Sequence, residues 1–406
     1  MSAAERRVLA ARGLRAFGDG YVSLLLPAYL LELGFGPLQV GMIATGTLCG
    51  SAVLTLGVGA YAHRVHARTL LLGCAALMSA TGFLFASAHE FWPLLIIAVV
   101  GTLNPSSGDV SVFLPLEHAV LARGAGDLRR TAAFARYALV GTLVAAFGAL
   151  AASIPTFLTA PTQWPVRSLM QAMFAFYGVL GVLVALVYRG LPRAERTAGP
   201  PAHVALGASR GKVYTLAALF GLDAFAGGFV VQSMLALWLY QRFGMSLATV
   251  GTIFFWTSVL SALSYIVAVK VANRIGLVNT MVFSHLPANL CLVIVPWVDN
   301  VAVAIGLLLV RSALSQMDVP TRSSYVMAIV TPAERPAAAS VTAVPRSLAS
   351  AVSPLLAGYL LGLSTFGWSL VAAGGLKIVY DLLLLATFRR IRPPEEASRA
   401  NSRSPD

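Results

Sequence analysis

The feature that most constrains this chain is a series of apolar runs, each about the length that a helix needs to cross the hydrocarbon layer of a membrane. They lack the two-residue alternation of membrane strands, so each run predicts a helix. The fold expected is therefore all-α and embedded in a lipid bilayer, with twelve transmembrane helices. The twelve runs lie at residues 14–33, 38–62, 69–87, 92–121, 131–153, 167–188, 214–240, 247–270, 279–297, 301–329, 338–363 and 367–388.

Composition supports a membrane protein and argues against a nucleic-acid-binding one. Of 406 residues, 58% are hydrophobic and 11% are charged, whereas a soluble domain is about a quarter charged. The formal charge of +13 would suit a nucleic-acid partner. Its basic residues are instead spread over the short loops between apolar runs, so we expect no nucleic acid as a partner.

The arginines predict the orientation. The N-terminus and every even-numbered loop are basic, and such loops are retained in the cytoplasm. Both termini are therefore expected in the cytoplasm, in a multi-pass protein of the plasma (inner) membrane. Basic residues on that side include Arg6, Arg7, Arg64, Arg68, Arg123, Arg129, Arg130, Arg189, Arg274 and Arg335.

The two halves of the chain align at an offset of about 210 residues. The alignment predicts two six-helix bundles related by a parallel repeat, with a solute site between them. The predicted divisions are residues 1–188, a cytoplasmic linker at 189–213, a second bundle at 214–388 and a cytoplasmic tail at 389–406. The matched pairs include Gly34 with Gly244, Val40 with Val250, Gly41 with Gly251, Asp109 with Asp318, and Arg136 with Arg346.

A family resemblance appears in the loop after the second run. The segment AHRVHARTLLLG (62–73) resembles the Gly-x-Leu-Ala-Asp-Arg-x-Gly-Arg-Arg signature of the major facilitator superfamily (MFS), which Arg64 and Arg68 match. His63 stands in place of the Asp. A second copy, ANRIGLVN (272–279), keeps the arginine. Within this superfamily, the sequence most resembles the drug-efflux-like branch of bacterial transporters.

The resemblance implies a transporter, and neither an enzyme nor a protein with a cofactor. It implies a small-molecule substrate, protons as a second partner and a monomer. In this superfamily the first, fourth, seventh and tenth helices face a central cavity. Ionisable residues inside the runs fall largely on those helices, which agrees with the cost of exposing charge to lipid.

The cavity residues follow from that placement. We expect ionisable groups there to bind substrate or protons, with polar and aromatic side chains lining the space. The candidates are Asp19, Asp109, Asp223, Gln232, Arg311, Asp318, Arg322, Tyr29 and Trp238.

Spacing along the helices suggests how these charges are arranged. Arg311, Asp318 and Arg322 recur at seven and four residues, so one helical face is expected to carry all three. The alternative to a binding role is a structural one. Asp19 would then be neutralised by Arg15 one turn earlier, and Asp223 would form a buried hydrogen bond. Lys377 and Asp381, four apart, are expected to pair with each other.

A second group is predicted to close the cytoplasmic side as a gate of ion pairs. Glu117 and His118 lie near the inner end of the fourth run and are expected to pair with loop arginines. The gate candidates are Arg64, Arg68, Glu117, His118, Arg129, Arg130, Arg136, Arg274, Glu334, Arg335 and Arg346.

The predicted function is secondary active transport of a small organic solute by alternating access, in the form of proton-coupled export. Asp109 or Asp223 is expected to carry the proton. Gly101 stands where related exporters have an arginine, so a proton symporter or a uniporter importing a metabolite is the alternative. An integral membrane enzyme would need a nucleophile or a metal motif that the sequence lacks, and no metal site is expected. A transporter-derived receptor is a further alternative.

Overall fold

A computed structural model describes residues 1–61, 65–106, 111–124, 127–192, 206–207, 209–331 and 334–389. Within these ranges the chain forms α-helices without any strand. The helices are α1 (Ala3–Glu32), α2 (Pro37–Tyr61), α3 (Ala67–Ser87), α4 (Phe91–Val100), α5 (Phe113–Gly124), α6 (Asp127–Ala151), α7 (Ile154–Thr162), α8 (Val166–Arg189), α9 (Arg210–Gly228), α10 (Gln232–Phe243), α11 (Leu247–Ile275), α12 (Leu277–Ile294), α13 (Val301–Ser315), α14 (Asp318–Ile329), α15 (Arg335–Leu363) and α16 (Trp368–Phe388).

The prediction of a helical membrane protein is confirmed. In the described part of the chain, 9 helical segments are long and apolar enough to cross a membrane. They cover nine of the predicted runs. The first run forms α1, the fourth forms α4 and α5, and the tenth forms α13 and α14. Helices are the expected outcome because lipid offers no partner to an unpaired backbone amide or carbonyl.

Three runs that we expected to be continuous are interrupted, and this is a correction. The fourth run leaves the helix after Val100, and residues 101–106, which include Gly101 and Pro105, are not helical. The seventh run breaks between Gly228 and Gln232, after two successive glycines. The tenth breaks at residues 316–317, where the missing amide hydrogen of Pro320 leaves the carbonyl of residue 316 without its helical partner.

The described helices group into two compact units. One unit contains α1–α8, α10, the part of α11 up to Val259 and the part of α15 from Pro354. The other contains α9, the rest of α11, α12–α14, the part of α15 up to Ser353, and α16. These two units are defined by which helices contact each other. The predicted bundles, divided at the linker, are defined by the internal sequence repeat, and that division remains a prediction.

Close helix contact in the first unit depends on glycine. A Cβ at Gly41 of α2 would lie 2.5 Å from the carbonyl oxygen of Pro354 and 3.0 Å from the Cα of Gly358, both on α15. Only glycine lets the two backbones approach this closely, as small residues do in membrane helix pairs generally.

The core of the second unit is built from aliphatic and aromatic side chains of five helices. It lies on the same helices as the charged residues described below. Its members are Val213, Leu216, Leu219 and Phe220 of α9; Val278, Met281 and Val282 of α12; Tyr325 and Val326 of α14; Val330; Ala338 of α15; and Tyr380, Leu384 and Phe388 of α16.

Candidate functional site

The first unit holds a buried carboxylate, Glu117 of α5, that side chains of three other helices contact. The guanidinium of Arg15 on α1 donates to its Oε2. Tyr137 of α6 donates to the same oxygen at 2.6 Å, and Tyr188 of α8 donates to Oε1 at 2.6 Å. Glu117 is 0% exposed and Arg15 is 2% exposed, so three hydrogen bonds replace the water that the carboxylate loses. We call these four residues the Glu117 cluster.

The partner of Glu117 differs from the one we expected. The sequence suggested a loop arginine, whereas the structure supplies Arg15, which lies at the start of the first run and in the middle of α1. The Arg15 guanidinium also lies over the ring of Phe113, with 4.2 Å between Cζ and the ring centroid. His118, the other residue expected to pair with an arginine, packs its ring against Phe134 and Tyr137 at 4.8 and 5.0 Å.

Asp19, one turn after Arg15, lies beside the interruption of the fourth run. Its carboxylate hydrogen-bonds to the side chains of Asn104 and Tyr177 and interacts electrostatically with Arg15. The Tyr177 hydroxyl also donates to the carbonyl of Thr102 at 2.9 Å. Asp19 is 5% exposed, so it is a buried acid, and the guanidinium groups of Arg15 and Arg12 attract its charge in addition to the two hydrogen bonds.

The second unit contains a larger group of charges, which we call the Asp223 cluster: Asp223, Asp318, Arg322 and Lys377. Asp223 of α9 accepts from Lys377 of α16, with 2.5 Å between Oδ1 and Nζ, and from Arg322 of α14 at 3.0 Å. Arg322 donates to Asp318 as well. All four are at most 8% exposed. Two acids face two bases, so the cluster is neutral overall and joins the seventh, tenth and twelfth runs.

A third pairing lies deeper between α12 and α16. Asp381 is 0% exposed and accepts from Asn289 at 2.8 Å, while its Oδ1 is 3.1 Å from Nδ1 of His285. The expected pair between Lys377 and Asp381 is therefore wrong, since each binds a different helix. Residues four apart on α16 lie on nearly the same face, but Lys377 reaches Asp223 of α9 and Asp381 reaches His285 and Asn289 of α12.

Arg311 does not share the environment of Asp318 and Arg322. It lies on α13, before the interruption, and its electrostatic neighbour is Cys291 of α12. Asp318 and Arg322 lie on α14, and Arg322 binds both Asp318 and Asp223 of α9. The interruption at residues 316–317 separates the face that the spacing predicted into two segments, which corrects the expectation of one continuous stripe.

The remaining cavity candidates differ in exposure. Tyr29 is 0% exposed, packs on Phe174 with 5.1 Å between ring centroids and donates to the carbonyl of Ala88 at 3.3 Å. Trp238 is also 0% exposed, and Gln232, the first residue of α10, is half-buried. Their role in binding a solute stays a prediction. Asp109 lies outside the described residues.

The gate candidates are scattered over several contacts. Arg136 donates to Glu5 with Nε–Oε1 at 3.0 Å, and the Nε of Arg335 donates to the carbonyl of Met327 at 3.2 Å. Arg346 is exposed and interacts electrostatically with Arg322. Arg68 is half-buried and Arg274 is exposed. Arg64 lies outside the described residues, and so do the side chains of Arg129 and Arg130.

Glu334 contacts the end of the linker instead of an arginine. Its Oε1 accepts from the backbone amide of Gly207 at 2.6 Å, and its Oε2 accepts from the hydroxyl of Thr331 at 2.9 Å. Ser209 also hydrogen-bonds to it. These donors favour the charged form and lower the pKa of Glu334 from 4.5 to about 2. The carboxylate thereby ties the loop before α15 to the segment that begins α9.

Comparison with known proteins identifies the family. The model of the Major Facilitator Superfamily matches residues 8–314 and again 215–405. The chain belongs to the major facilitator superfamily. Its members are transporters, so the expectation of a membrane transporter is confirmed at that level, and the chain is not assigned to an enzyme class.

One relative from Saccharomyces cerevisiae matches most of this MFS chain. It is described as an uncharacterized membrane protein, YJR124C, and is 24% identical over 410 residues, which cover 92% of either chain. The resemblance to bacterial drug exporters within the superfamily stays a prediction.

Solved structures confirm the fold of this MFS protein. A mutant of the nucleoside transporter NupG matches with a TM-score of 0.75 and 13% identity, over 95% of this chain and 100% of that one. A bacterial homologue of the human lysosomal transporter Spinster, inward-facing and occupied, has a TM-score of 0.74 and 14% identity, over 96% and 97%. The human organic anion transporter MFSD10 has a TM-score of 0.61 and 18% identity, over 94% and 99%.

Sequence reasoning missed several members of the clusters in this MFS protein. Tyr137 and Tyr188 lay inside apolar runs as ordinary aromatic residues, and nothing in their spacing marked them as partners of an acid. Arg15 and Lys377 carried a clearer signal, because each is a cation inside a predicted span. We assigned both to acids on their own helices, although their partners lie on other helices.

Proposed function

We propose that this protein is a secondary active transporter that exports a small organic solute by alternating access, coupled to protons. One observation carries the proposal: three of the four helices expected to face the cavity are interrupted within the span, and buried charges flank the interruptions. Interrupted helices with buried ionisable groups are the usual construction of solute and ion sites in secondary transporters.

The proton is proposed to act at Asp223 or at Asp109. Asp223 binds Lys377 and Arg322 together, so its negative charge holds α9 against α14 and α16. Protonation would remove that charge and weaken both ion pairs at once. A ligand or proton that binds one conformation better than another shifts the population between them, which is how protonation would drive the change of access.

Asp19 supports the same proposal as a second acid in the first unit. It is hydrogen-bonded to the side chains of Asn104 and Tyr177, and Asn104 lies in the non-helical residues 101–106 of the fourth run. Protonation would cancel the attraction between the Asp19 carboxylate and the guanidinium groups of Arg15 and Arg12. The solute is proposed to bind near these groups, with both termini of the chain in the cytoplasm and the protein in the plasma membrane.

The first experiment identifies a ligand. Purified protein is screened by thermal unfolding against nucleosides, organic anions, drugs and metabolites, because a ligand that binds the folded state raises the unfolding temperature. Flux of each hit is then measured in proteoliposomes with an imposed pH gradient. Binding without flux would indicate a receptor and would contradict transport.

The second experiment tests proton coupling. Asp223→Asn is expected to abolish uptake driven by a pH gradient, whereas Glu90→Gln, which removes an exposed acid at the start of α4, is expected to leave it unchanged. Counterflow at equal pH separates the alternative: a uniporter exchanges solute equally well at every pH. If Asp223→Asn and Asp109→Asn both transport normally along the gradient, the coupling proposal is wrong.

A further inference from the structure

A basic groove lies in the first unit, between the two ends of α1 and α8 that carry exposed arginines. It has a volume of about 450 Å³ and runs between the beginning of α1 and the end of α8. Residues of α1 line one wall (Ala3, Arg6, Arg7 and Ala10), and residues at the end of α8 line the other (Leu186, Val187 and Gly190). We call it the Arg6–Arg7 groove.

The positive charges of Arg6 and Arg7 are not neutralised by the acid nearest to them in the sequence. Glu5, the acid nearest in sequence, is bound by Arg136 on α6, with 2.5 Å between NH2 and Oε1. Arg7 donates to the carbonyl of Gly190, which holds its guanidinium at the mouth of the groove without cancelling its charge. Arg6 is exposed, and among the described residues no hydrogen bond or ion pair involves its side chain.

Gly190 makes the position of Arg7 possible. A Cβ at residue 190 would lie 2.7 Å from the Nε of Arg7 and 2.8 Å from its Cζ. Any other residue would therefore push the guanidinium away from the end of α8. Arg189, also exposed, adds a third cation next to this position.

An apolar face of α8 continues from the groove. Val179, Val182, Leu183 and Leu186 are 39–53% exposed and recur at helical spacing, so they form one stripe. From residue 190 to residue 179 this stripe covers about 16 Å of helix, close to the thickness of one leaflet of the hydrocarbon layer. The arginines at the mouth of the groove would suit the anionic headgroup of a phospholipid, and the apolar stripe, about one leaflet long, would suit its acyl chain.

We propose that the Arg6–Arg7 groove binds one anionic phospholipid, with its phosphate against Arg6 and Arg7 and an acyl chain along the exposed face of α8. Basic pockets between transmembrane helices recognise anionic headgroups through charge and hydrogen bonds. The groove belongs to the first unit alone, and the proposal does not depend on which solute is transported.

Native mass spectrometry of the full-length, delipidated protein tests the proposal. The protein is titrated with phosphatidylglycerol or phosphatidylcholine in detergent, and bound lipids are counted. One phosphatidylglycerol is expected to bind at least tenfold more tightly than phosphatidylcholine, since each arginine near a headgroup strengthens binding severalfold. Equal binding of the two lipids would overturn the proposal.

Variants locate the site. Arg6→Gln with Arg7→Gln is expected to weaken phosphatidylglycerol binding by roughly tenfold or more. The matched control, Arg210→Gln with Lys212→Gln, removes two exposed cations at the start of α9 and is expected to bind as the unchanged protein does. An equal loss in both double variants would mean general charge attraction and would contradict a specific groove.

Loss of Arg7 could disturb the end of α8 and weaken lipid binding indirectly, so a second variant blocks the groove without removing a charge. Ala10→Trp fills the groove from an exposed position and leaves every charge in place. It is expected to weaken lipid binding with no change in the unfolding temperature. Unchanged binding in Ala10→Trp, or displacement of the lipid by micromolar inorganic phosphate, would count against a lipid site.

Discussion

Lys377 of α16 and Asp223 of α9 form a buried ion pair, with 2.5 Å between Nζ and Oδ1, and Arg322 binds the other oxygen of the same carboxylate. One acid thus connects three helices of the second unit. Removing water from these charges is costly, so the arrangement is stable only while each charge keeps its partner. That requirement makes the cluster sensitive to single substitutions and tolerant of paired ones.

The first prediction concerns the pair itself. Asp223→Asn should destabilise the protein by about 3–5 kcal/mol, because it leaves Lys377 buried without its partner. Lys377→Gln should destabilise it by less, because Asp223 keeps its ion pair with Arg322. The double variant should be more stable than the sum of the two effects implies, by at least about 1 kcal/mol. Unfolding in detergent measures all four members of the cycle. Additive effects would mean that the two residues do not interact.

The second prediction concerns the Glu117 cluster. Tyr188→Phe removes a hydrogen bond to a buried carboxylate and should lower the free energy of unfolding by about 1.5–3 kcal/mol. Tyr214→Phe is the matched control, since Tyr214 is 51% exposed and its hydroxyl can bind water. That control should change stability by less than about 0.5 kcal/mol. Equal effects of the two substitutions would contradict the assignment.

The third prediction is a pH dependence at Glu334. Its pKa is about 2 in the folded protein and near 4.5 when the chain is unfolded, so its contribution is complete above about pH 4.5 and is lost as the pH falls towards 2. The unfolding temperature of Glu334→Gln should lie below that of the unchanged protein by a constant amount from pH 5 to pH 8. The difference should shrink between pH 4.5 and pH 2.

The Glu334 prediction also has a structural readout. Hydrogen exchange at Gly207 should be faster in Glu334→Gln, because its amide loses the carboxylate that accepts its hydrogen bond. A difference in unfolding temperature that grows on acidification would have the wrong sign, and it would show that Glu334 is not held in its charged form.

The fourth prediction concerns the crossing of α2 and α15. Gly41→Ala would place a methyl group 2.5 Å from the Pro354 carbonyl oxygen, so the helices must separate, at a cost of about 1–3 kcal/mol. Gly57→Ala on the same helix is the control, since nothing lies within 4 Å of its added Cβ. The control should leave stability unchanged or raise it by up to about 1 kcal/mol. Thermal unfolding of both variants separates packing from helix propensity.

The sequence by itself determined the number and type of the membrane segments. Lipid satisfies no backbone hydrogen bond, so a run of about twenty apolar residues has few alternatives to a helix. The same physics made the ionisable residues inside those runs visible, and Asp19, Glu117, Asp223, Asp318 and Arg322 are indeed buried among polar partners. The family followed from the Arg64 and Arg68 pattern and was confirmed by comparison.

Only the tertiary structure decided which charge binds which. Helical spacing suggested Lys377 with Asp381, but the lysine reaches Asp223 on a neighbouring helix instead. Arg15 interacts electrostatically with Asp19, as its spacing suggested, but its hydrogen-bonded ion pair is with Glu117 on another helix. The interruption at residues 316–317 likewise separated Arg311 from Asp318, although seven residues normally bring two side chains to one face. Spacing describes one helix, whereas the partner of a buried charge is set by the helices packed around it.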